Sequence, residues 1–471
     1  MSNINLLSGN IREKMFHEMK DKSIFNQVKD YAFSFADDSL TRNVFPTPEA
    51  IEGLKNFDEE LPFEPDNPGE VLDRLHKFGS PATVIQGGGR YFGFVIGGTI
   101  PVSLAARWLS DFWDQNAGLF MTSPIASKLE TVVEKWLRQL FRLPDSVVSG
   151  FVSGTTTAVF CALSAARYRI LKQQDWDINS KGLFNAPKIR IVAGRHAHGA
   201  VLKSVSMLGL GINNIEWADV DSQGRVIPER VPELDENTIL ILQAGNVNSG
   251  SFDPFEEICD KAVRAKAWIH IDGAFGLWAA SSDKLRYLTR GVEKANSWSV
   301  DGHKTLNTPY DCGIVLCSDQ DALISALHVT GSYLIHTEAR DGYSYTPEMS
   351  RRARIIELWA AIRYLGQEGI KQLVDGLHER AAQFASEADK AGFQVLNEVV
   401  FNQVLVACEN DDLTVKTLEL IQKSGECWCG GAQWDNRRVI RVSVCSWETT
   451  PEDITRSVNA FVKAYHEARM R

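Results

Sequence analysis

The middle of the chain alternates between segments of helical periodicity and short apolar runs, and no other feature restricts its fold as much. Apolar residues recur at helical spacing over 127–140 and 157–173, whereas short apolar runs occupy 189–193, 238–243 and 268–272. Strands that are buried on both faces have such continuous apolar sequences. The pattern predicts an α/β fold, in which helices cover a mostly parallel sheet and a crevice lies at the carboxyl ends of the strands.

Three regions follow one another along the chain. Prolines interrupt the helical patterns of residues 1–80, which we interpret as an N-terminal arm. Residues 81–345 form the predicted large α/β domain. Residues 346–471 open with an amphipathic helical pattern over 351–366 and continue with strand and helix patterns, which indicates a smaller α+β domain.

The overall charge and the cysteines argue against several classes of protein. A formal net charge of −10 is not typical of nucleic-acid-binding proteins. No run approaches the roughly 20 apolar residues that span a membrane, and the first residues lack the pattern of a secretory signal. The eight cysteines form no repeated CxxC pair, so no metal site is expected. We expect a cytoplasmic enzyme with reduced thiols.

Lys304 lies beside His303, after a short polar turn and before an apolar run that ends at Cys317. An amine held in such a place suits a nucleophile that attacks a carbonyl carbon and forms a Schiff base. The alternative is a solvent-exposed lysine on a loop. The segments upstream of Lys304 bear on this choice.

Asp272 ends an apolar run that we expect to be a buried strand. A buried carboxylate is costly unless it is paired. Its partner is either a protonated ring nitrogen of a ligand or a structural group, such as an arginine or the next turn of the backbone. Gly273 and Ala274 leave room for a flat ligand against the chain.

A glycine and two threonines, Gly154, Thr155 and Thr156, precede a predicted helix. Backbone N–H groups and hydroxyls at a helix N-terminus bind anions, and the helix dipole favours negative charge there. The same residues would also serve as an ordinary helix cap.

Two histidines, His196 and His198, follow the predicted strand at 189–193. Either could be a metal ligand, a general acid, a plane for stacking or a core residue, but no third ligand at a suitable spacing is present. An anion cradle, a stacking plane, an acid for a ring nitrogen and a reactive amine together indicate a pyridoxal-phosphate site.

From about residue 87 to 453 the chain resembles the group II pyridoxal-phosphate-dependent amino-acid decarboxylases, which include the glutamate and aromatic-amino-acid decarboxylases. The matching segments are Gly89-Arg90-Tyr91-Phe92-Gly93-Phe94, Ser123-Pro124 with Leu129-Glu130, Ser153-Gly154-Thr155-Thr156, Phe252-Asp253-Pro254 and His303-Lys304. The resemblance implies the type I fold of the aspartate aminotransferases, with a mostly parallel seven-stranded sheet, and a homodimer. It also implies decarboxylation of an L-amino acid to CO₂ and an amine.

The resemblance implies a role for each residue of the cofactor site. Lys304 is the Schiff-base lysine, Asp272 pairs with the pyridine nitrogen, and Ala274 packs against the ring. His198 stacks on the ring, and its distance to Gly209 favours it over His196. His303 neighbours the phosphate or the imine, while Gly154, Thr155 and Thr156 hold the phosphate.

The resemblance also places three residues near the substrate. Tyr91 and Phe92 match the pocket segment, although they could instead be core aromatics. Arg441 lies where some members of the family bind the substrate carboxylate, although it could pair with an acidic side chain. The aromatic residues favour an aromatic or bulky substrate.

The chain departs from the family pattern where the reaction is decided. Asp301 and Gly302 replace the Asn-Pro that precedes the lysine in many members. Tyr343, Tyr345 and His198 are candidates for the acid that protonates the carbanion. The alternatives to decarboxylation are another carbon–carbon lyase reaction, an oxidative deamination that gives an aldehyde, a transamination, or cofactor binding without turnover.

Overall fold

The computed structural model describes residues 10–327 and 339–470. Its centre is a seven-stranded sheet in the order β1-β7-β6-β5-β4-β2-β3. Six strands are parallel, and only β7 runs antiparallel to its neighbours. The predicted mostly parallel sheet is therefore confirmed. The strands are β1 Val148–Val152, β2 Arg190–Gly194, β3 Ile215–Ala218, β4 Thr238–Gln243, β5 Trp268–Asp272, β6 Ser297–Asp301 and β7 Gly313–Cys317.

Helices cover both faces of this sheet. In β4, Ile239 and Ile241 point into one apolar core, and Leu240 and Leu242 point into the other. The α-helices are α1 Ile11–Asp21, α2 Ser23–Ser39, α3 Pro48–Gly53, α4 Pro68–Arg74, α5 Pro101–Trp113, α6 Pro124–Phe141, α7 Thr155–Gln173, α8 Ile178–Lys181, α9 Gly199–Met207, α10 Phe255–Arg264, α11 Gln320–Leu327, α12 Ile355–Lys390, α13 Asp411–Ser424 and α14 Pro451–Met470. None of the helices in the described ranges is long and apolar enough to cross a membrane.

A second, antiparallel sheet has the order β10-β11-β9-β8 and packs with α12, α13 and α14. Its strands are β8 Gln394–Val395, β9 Gln403–Ala407, β10 Gly430–Trp434 and β11 Arg437–Ser443. The amphipathic pattern over 351–366 predicts only the first part of α12, because the helix resumes after a kink at Gly366. This glycine has a φ of 59°, which a residue without a side chain adopts at little cost.

A stretch near the start of the predicted large domain extends this smaller unit. Phe92 N donates to the carbonyl of Trp428, and Ser443 N donates to the carbonyl of Phe92. Val44 of the arm is joined to Gly425 in the same way. The region boundaries at 80 and 345 stay predictions, but residue 92 packs with the smaller sheet.

Candidate active site

Lys304 lies just after β6, at the carboxyl edge of the large sheet. Its Nζ is 3.0 Å from Oδ2 of Asp301, and the Asp301 side chain is only 2% exposed. The same oxygen accepts a hydrogen bond from the Thr155 hydroxyl and lies 3.5 Å from Nε2 of His303. The Asp301 carboxylate thus joins the amine to the start of α7.

The role of Asp301 was not predicted from the sequence, where it stood only as a departure from the family pattern. Its position just before the His303-Lys304 pair was the sequence signal that could have indicated this role. Its partner Thr155 lies 146 residues away in the chain, so only the fold shows that the two side chains meet.

His303 is fixed by contacts on two sides. Its Nδ1 accepts a hydrogen bond from the backbone N–H of Cys312 at 3.1 Å, so the proton of the neutral ring is on Nε2. Its ring stacks on Tyr310 with 4.2 Å between the centroids. Burial lowers the pKa of His303, which favours this neutral form.

The predicted anion cradle lies at the first turn of α7, which begins at Thr155 with Gly154 as its N-cap. A side chain on Gly313 would approach the Cα of Gly154 to 2.3 Å, so the end of β7 packs directly against the cradle. The backbone N–H groups of a first helical turn have no partners within the helix. This turn is therefore suited to hold a phosphate beside His303 and Lys304.

Asp272 is buried at the end of β5 and has no ion-pair partner among the described residues. Its Oδ1 accepts from the backbone N–H of Ala274 at 3.2 Å and from the Ser299 hydroxyl at 3.4 Å. Burial raises the pKa of Asp272, and the nearby His198 and Lys304 oppose this effect. A carboxyl group in this state is suited to a ligand that brings a positively charged N–H donor.

His198 is the N-cap of α9, and its Nδ1 accepts from the backbone N–H of Ala200 at 3.2 Å. Burial lowers the pKa of His198, against the attraction of Asp272, which favours the neutral ring; because Nδ1 accepts a hydrogen bond, the proton of that neutral ring is on Nε2. His196 instead lies against Trp434, with 5.1 Å between the ring centroids. Of the two histidines, His198 is the one beside Asp272.

Arg441, on β11, brings a partly buried positive charge to the site from the smaller sheet. Its Nη1 donates to the carbonyl of Val247 at 3.1 Å, whereas its buried Nε has no hydrogen-bond partner among the described residues. Burial lowers the pKa of Arg441, and Tyr91 and His198 lie within its electrostatic reach. An arginine without an acidic partner is suited to bind a carboxylate.

Tyr91 stacks on Trp428 with 5.3 Å between nearly parallel rings. The sequence did not predict a role for Trp428, because its neighbourhood resembles an ordinary strand. Phe94, which is 60% exposed, stacks on the same indole ring. Tyr91, Trp428 and Phe94 thus form an aromatic stack, and its Tyr91 lies within electrostatic reach of Arg441.

The placement of Phe92 in a substrate pocket is wrong. Its side chain has no exposed surface and packs against Phe384 in the core of the smaller domain. Tyr91 forms an isolated β-bridge with Trp428, and the side chain of Phe92 next to it packs among the apolar residues under the smaller sheet.

Two tyrosines that follow α11, Tyr343 and Tyr345, are candidates for the proton donor. Tyr345 stacks under Arg340 and accepts a hydrogen bond from Gln320 at 3.3 Å. Gln320 follows Cys317, which pairs with the first residue of β1, so Tyr345 is at the edge of the sheet opposite Lys304. Tyr345 is therefore not a proton donor at the site, because packing against β1 holds it at the other edge.

Tyr343 is bound through its backbone N–H to the carbonyl of Gly118 at 3.0 Å, and its side chain is 4% exposed. Residues 328–338, which contain a further tyrosine, Tyr333, lie outside the described residues. Within the described ranges, no group of three or more histidine, cysteine or acidic side chains could hold a metal ion.

Comparison with known proteins agrees with this geometry. The profile of the pyridoxal-dependent decarboxylase conserved domain matches residues 52–407, which is most of the chain. The chain belongs to this family. Its enzymes are carboxy-lyases, and membership assigns pyridoxal phosphate to the chain as its cofactor.

Relatives of known activity differ in their substrates. The acidic amino acid decarboxylase of Mus musculus is 26% identical over 364 residues, which are 73% of this chain and 65% of the relative. The chain thus spans about two thirds of that relative's length. The tyrosine decarboxylase of Papaver somniferum is 24% identical over 447 residues, 85% of this chain and 86% of the relative.

A solved structure confirms the type I fold. The crystal structure of Oryza sativa TDC with PLP and tryptamine superposes with a TM-score of 0.87, at 19% identity, over 95% of this chain and 97% of that chain. At this identity the likeness concerns the fold alone.

The residues at the carboxyl edge of the sheet fit pyridoxal phosphate. The buried carboxyl group of Asp272 accepts hydrogen bonds from the Ala274 N–H and the Ser299 hydroxyl but forms no salt bridge among the described residues, which suits an acid for a pyridinium nitrogen. The turn at Gly154 and Thr155 offers donors to a phosphate, and the Lys304 amine is close to that turn through Asp301.

Proposed function

We propose that this protein decarboxylates an L-amino acid and releases CO₂ and the corresponding amine. The observation that carries the proposal is the meeting of Lys304, Asp272 and His198 at one edge of the sheet. Both curated relatives described above are decarboxylases of amino acids, which supports the reaction class. Their different substrates leave the side chain of the amino acid to be found by experiment.

The proposed roles follow from the positions of the side chains. Pyridoxal phosphate supplies an aldehyde that captures amines and a ring that accepts electrons. Lys304 holds the cofactor covalently, and Asp272 keeps a proton on the ring nitrogen. His198 and Ala274 would lie against the cofactor ring.

The remaining cofactor contacts lie at the phosphate. Gly154, Thr155 and Thr156 bind it through the first turn of α7, and His303 directs its Nε2 proton towards the same region. The phosphate would then be bound by a histidine and a helix N-terminus.

The substrate is bound by groups from the smaller domain. Arg441 binds its carboxylate, and the aromatic stack of Tyr91, Trp428 and Phe94 offers apolar surface to an aromatic or bulky side chain. His198, with its proton on Nε2, is one candidate to protonate the carbon after CO₂ has left, and Tyr343 is the other.

The test of this function is a panel of L-amino acids, with CO₂, amine, aldehyde and peroxide measured together on the cofactor-loaded enzyme. We expect equal amounts of CO₂ and amine, with the highest kcat/KM for an aromatic or bulky amino acid. A preference for aspartate or glutamate would contradict the proposed substrate class. Peroxide and aldehyde without amine would contradict the reaction.

Arg441→Met provides the matched variant for this panel. The methionine keeps an apolar chain of similar length but lacks the charge that binds a carboxylate. We expect the KM for the preferred amino acid to rise by roughly 10-fold or more, as for the loss of a charge-assisted hydrogen bond. The KM for the amino acid should stay unchanged if Arg441 has only a structural role.

We further propose a homodimer, because the arm and α5 expose many apolar side chains. Phe16, Phe33, Leu61, Phe63 and Phe112 are between 55% and 97% exposed. Exposed apolar surface of this extent is typical of a subunit interface. Sedimentation at micromolar concentration should give twice the chain mass of 52.5 kDa, and a single-chain mass would refute the dimer.

All eight cysteines are buried and unpaired. Free thiols support the proposed cytoplasmic location, because disulfides form in oxidising compartments.

A further inference from the structure

Asn307 lies three residues after Lys304 and is fully buried. Its side chain makes contacts with three separate stretches of the chain. The Oδ1 atom accepts from the backbone N–H groups of Gly98 at 2.6 Å and Trp447 at 3.0 Å. The residue has a φ of 58°, a left-handed conformation that asparagine tolerates better than most residues.

The amide nitrogen of Asn307 reaches the smaller domain. Its Nδ2 donates to the carbonyl of Cys445 at 3.0 Å, and to the carbonyls of Thr305 at 2.8 Å and Lys304 at 3.3 Å. Every hydrogen-bonding atom of this buried side chain is thus used, and each bond goes to the backbone. Such a satisfied polar group fixes relative positions more strictly than apolar packing does.

The segment that contacts the Asn307 amide directly follows the strand that carries Arg441. β11 ends at Ser443, and Cys445 follows two residues later, four residues after Arg441. The Asn307 amide therefore connects the Lys304 turn to an extension of the strand that bears the arginine. Asn307 and Cys445 are 138 residues apart in sequence, and the bond joins the turn after β6 of the large sheet to the segment after β11 of the smaller sheet.

The segment 97–100 closes the other side of the Lys304 turn. Gly97 N donates to the carbonyl of His303 at 3.2 Å, and Ile100 N donates to the carbonyl of Asn307 at 2.9 Å. A side chain on Gly97 would come within 2.1 Å of the Lys304 carbonyl oxygen, so the two backbones are in direct contact. Lys304 is held from both sides.

We propose that Asn307 is a positioning residue that sets the distance between the amine of Lys304 and the guanidinium of Arg441. This inference rests on the proposed function, in which Arg441 binds the substrate carboxylate. The amino acid would have to place its amine at the cofactor carbon held by Lys304, where it would displace the Lys304 amine, while its carboxylate contacts Arg441. Lys304 follows a strand of the large sheet, and Arg441 lies on a strand of the smaller sheet. The hydrogen bonds of Asn307 hold these two residues at a fixed distance from each other.

The test compares Asn307→Gly with Asn402→Ala in the cofactor-loaded enzyme. Glycine keeps the left-handed backbone of residue 307 and removes every side-chain bond. Asn402 is equally buried and donates to the neighbouring carbonyl of Val444 at 2.9 Å, but the hydrogen bonds of its side chain do not include the Lys304 turn. It is the control for lost hydrogen bonding near the same stretch.

We expect Asn307→Gly to lower kcat/KM by roughly 10²-fold, the order of loss that a displacement of about 1 Å causes. The visible circular dichroism of the bound cofactor should change as well, because its lysine anchor shifts. Asn402→Ala should lower the melting temperature but leave both readouts within about twofold after correction for folded protein.

Equal changes in the two variants, or no change in Asn307→Gly, would overturn the inference. If Asn307→Gly does not fold, Asn307→Asp serves, because it keeps the two acceptor bonds and loses the donation to Cys445. The dichroism of the bound cofactor is measured without substrate. It therefore tests the positioning role of Asn307 even if the amino-acid panel refutes decarboxylation. Arg441→Met, by contrast, should alter KM without altering the dichroism.

Discussion

Lys304→Ala should lose the visible absorbance of covalently held cofactor and lower turnover by roughly 10⁴-fold or more, as for other enzymes that lose their nucleophile. The reason is that no other lysine amine is placed at the Asp301 carboxylate and the start of α7 among the described residues. Absorbance after cofactor addition and removal of the unbound excess measures the first effect, and amine release measures the second.

Lys304→Arg is the control for this prediction. The arginine keeps a positive charge for Asp301 but is a poor nucleophile, because its guanidinium stays protonated. We expect the folded variant to bind the cofactor only without the covalent bond. An alanine variant that retains full turnover would show that another group carries the reaction.

Asp272→Asn should lower kcat by roughly 10²- to 10³-fold, the range for the loss of one electrostatic contact to a developing charge. An amide cannot hold a positively charged nitrogen as a carboxylate does. Lys304 is unchanged in this variant, so the visible absorbance should persist. Amine release measures the loss of kcat, and the visible absorbance of the same sample shows whether the cofactor is still bound.

The cofactor-free form of Asp272→Asn should be more stable to heat than the cofactor-free wild type at neutral pH. Burial raises the pKa of Asp272, so its stabilisation is lost as the pH rises through the range between the unfolded and folded values. Asparagine has no charge to bury and avoids this cost. A lower melting temperature of the cofactor-free variant would contradict the account of Asp272.

Asp253→Asn is the matched control at a second buried carboxyl group. Burial raises the pKa of Asp253 to about 6, but its oxygens accept from the backbone N–H groups of Val226 and Gln243 at 2.8 and 2.7 Å. The amide would leave one of these donors without its acceptor, so this variant should lose stability. Its kcat should stay within about twofold of the wild type.

The strand pattern was predictable because it is local. The runs at 238–243 and 268–272 are β4 and β5 without a shift of a single residue. Helix ends were less accurate. The helix expected from 157 begins at Thr155, and α12 continues past Gly366, because tertiary packing extends a helix beyond its sequence signals.

The meeting of Lys304, Asp272 and the helix start at Thr155 could be anticipated from the topology of a parallel sheet. Strands that run in one direction bring their carboxyl-end loops to one edge. Asn307 and Trp428 carry no comparable signal, since their partners lie far away along the chain. Gly98, for example, is 209 residues from Asn307.

The sequence by itself determined the alternation of strands and helices, and with it the edge of the sheet at which Lys304 lies, because periodicity and strand ends depend on neighbours along the chain. Tertiary structure alone decided where the candidate aromatic residues lie. Tyr91 stacks beside Arg441, whereas Phe92 lies in a core and Tyr345 at the far edge of the sheet. The physical reason is that burial and pairing are set by contacts between distant segments, which identical residue types do not distinguish.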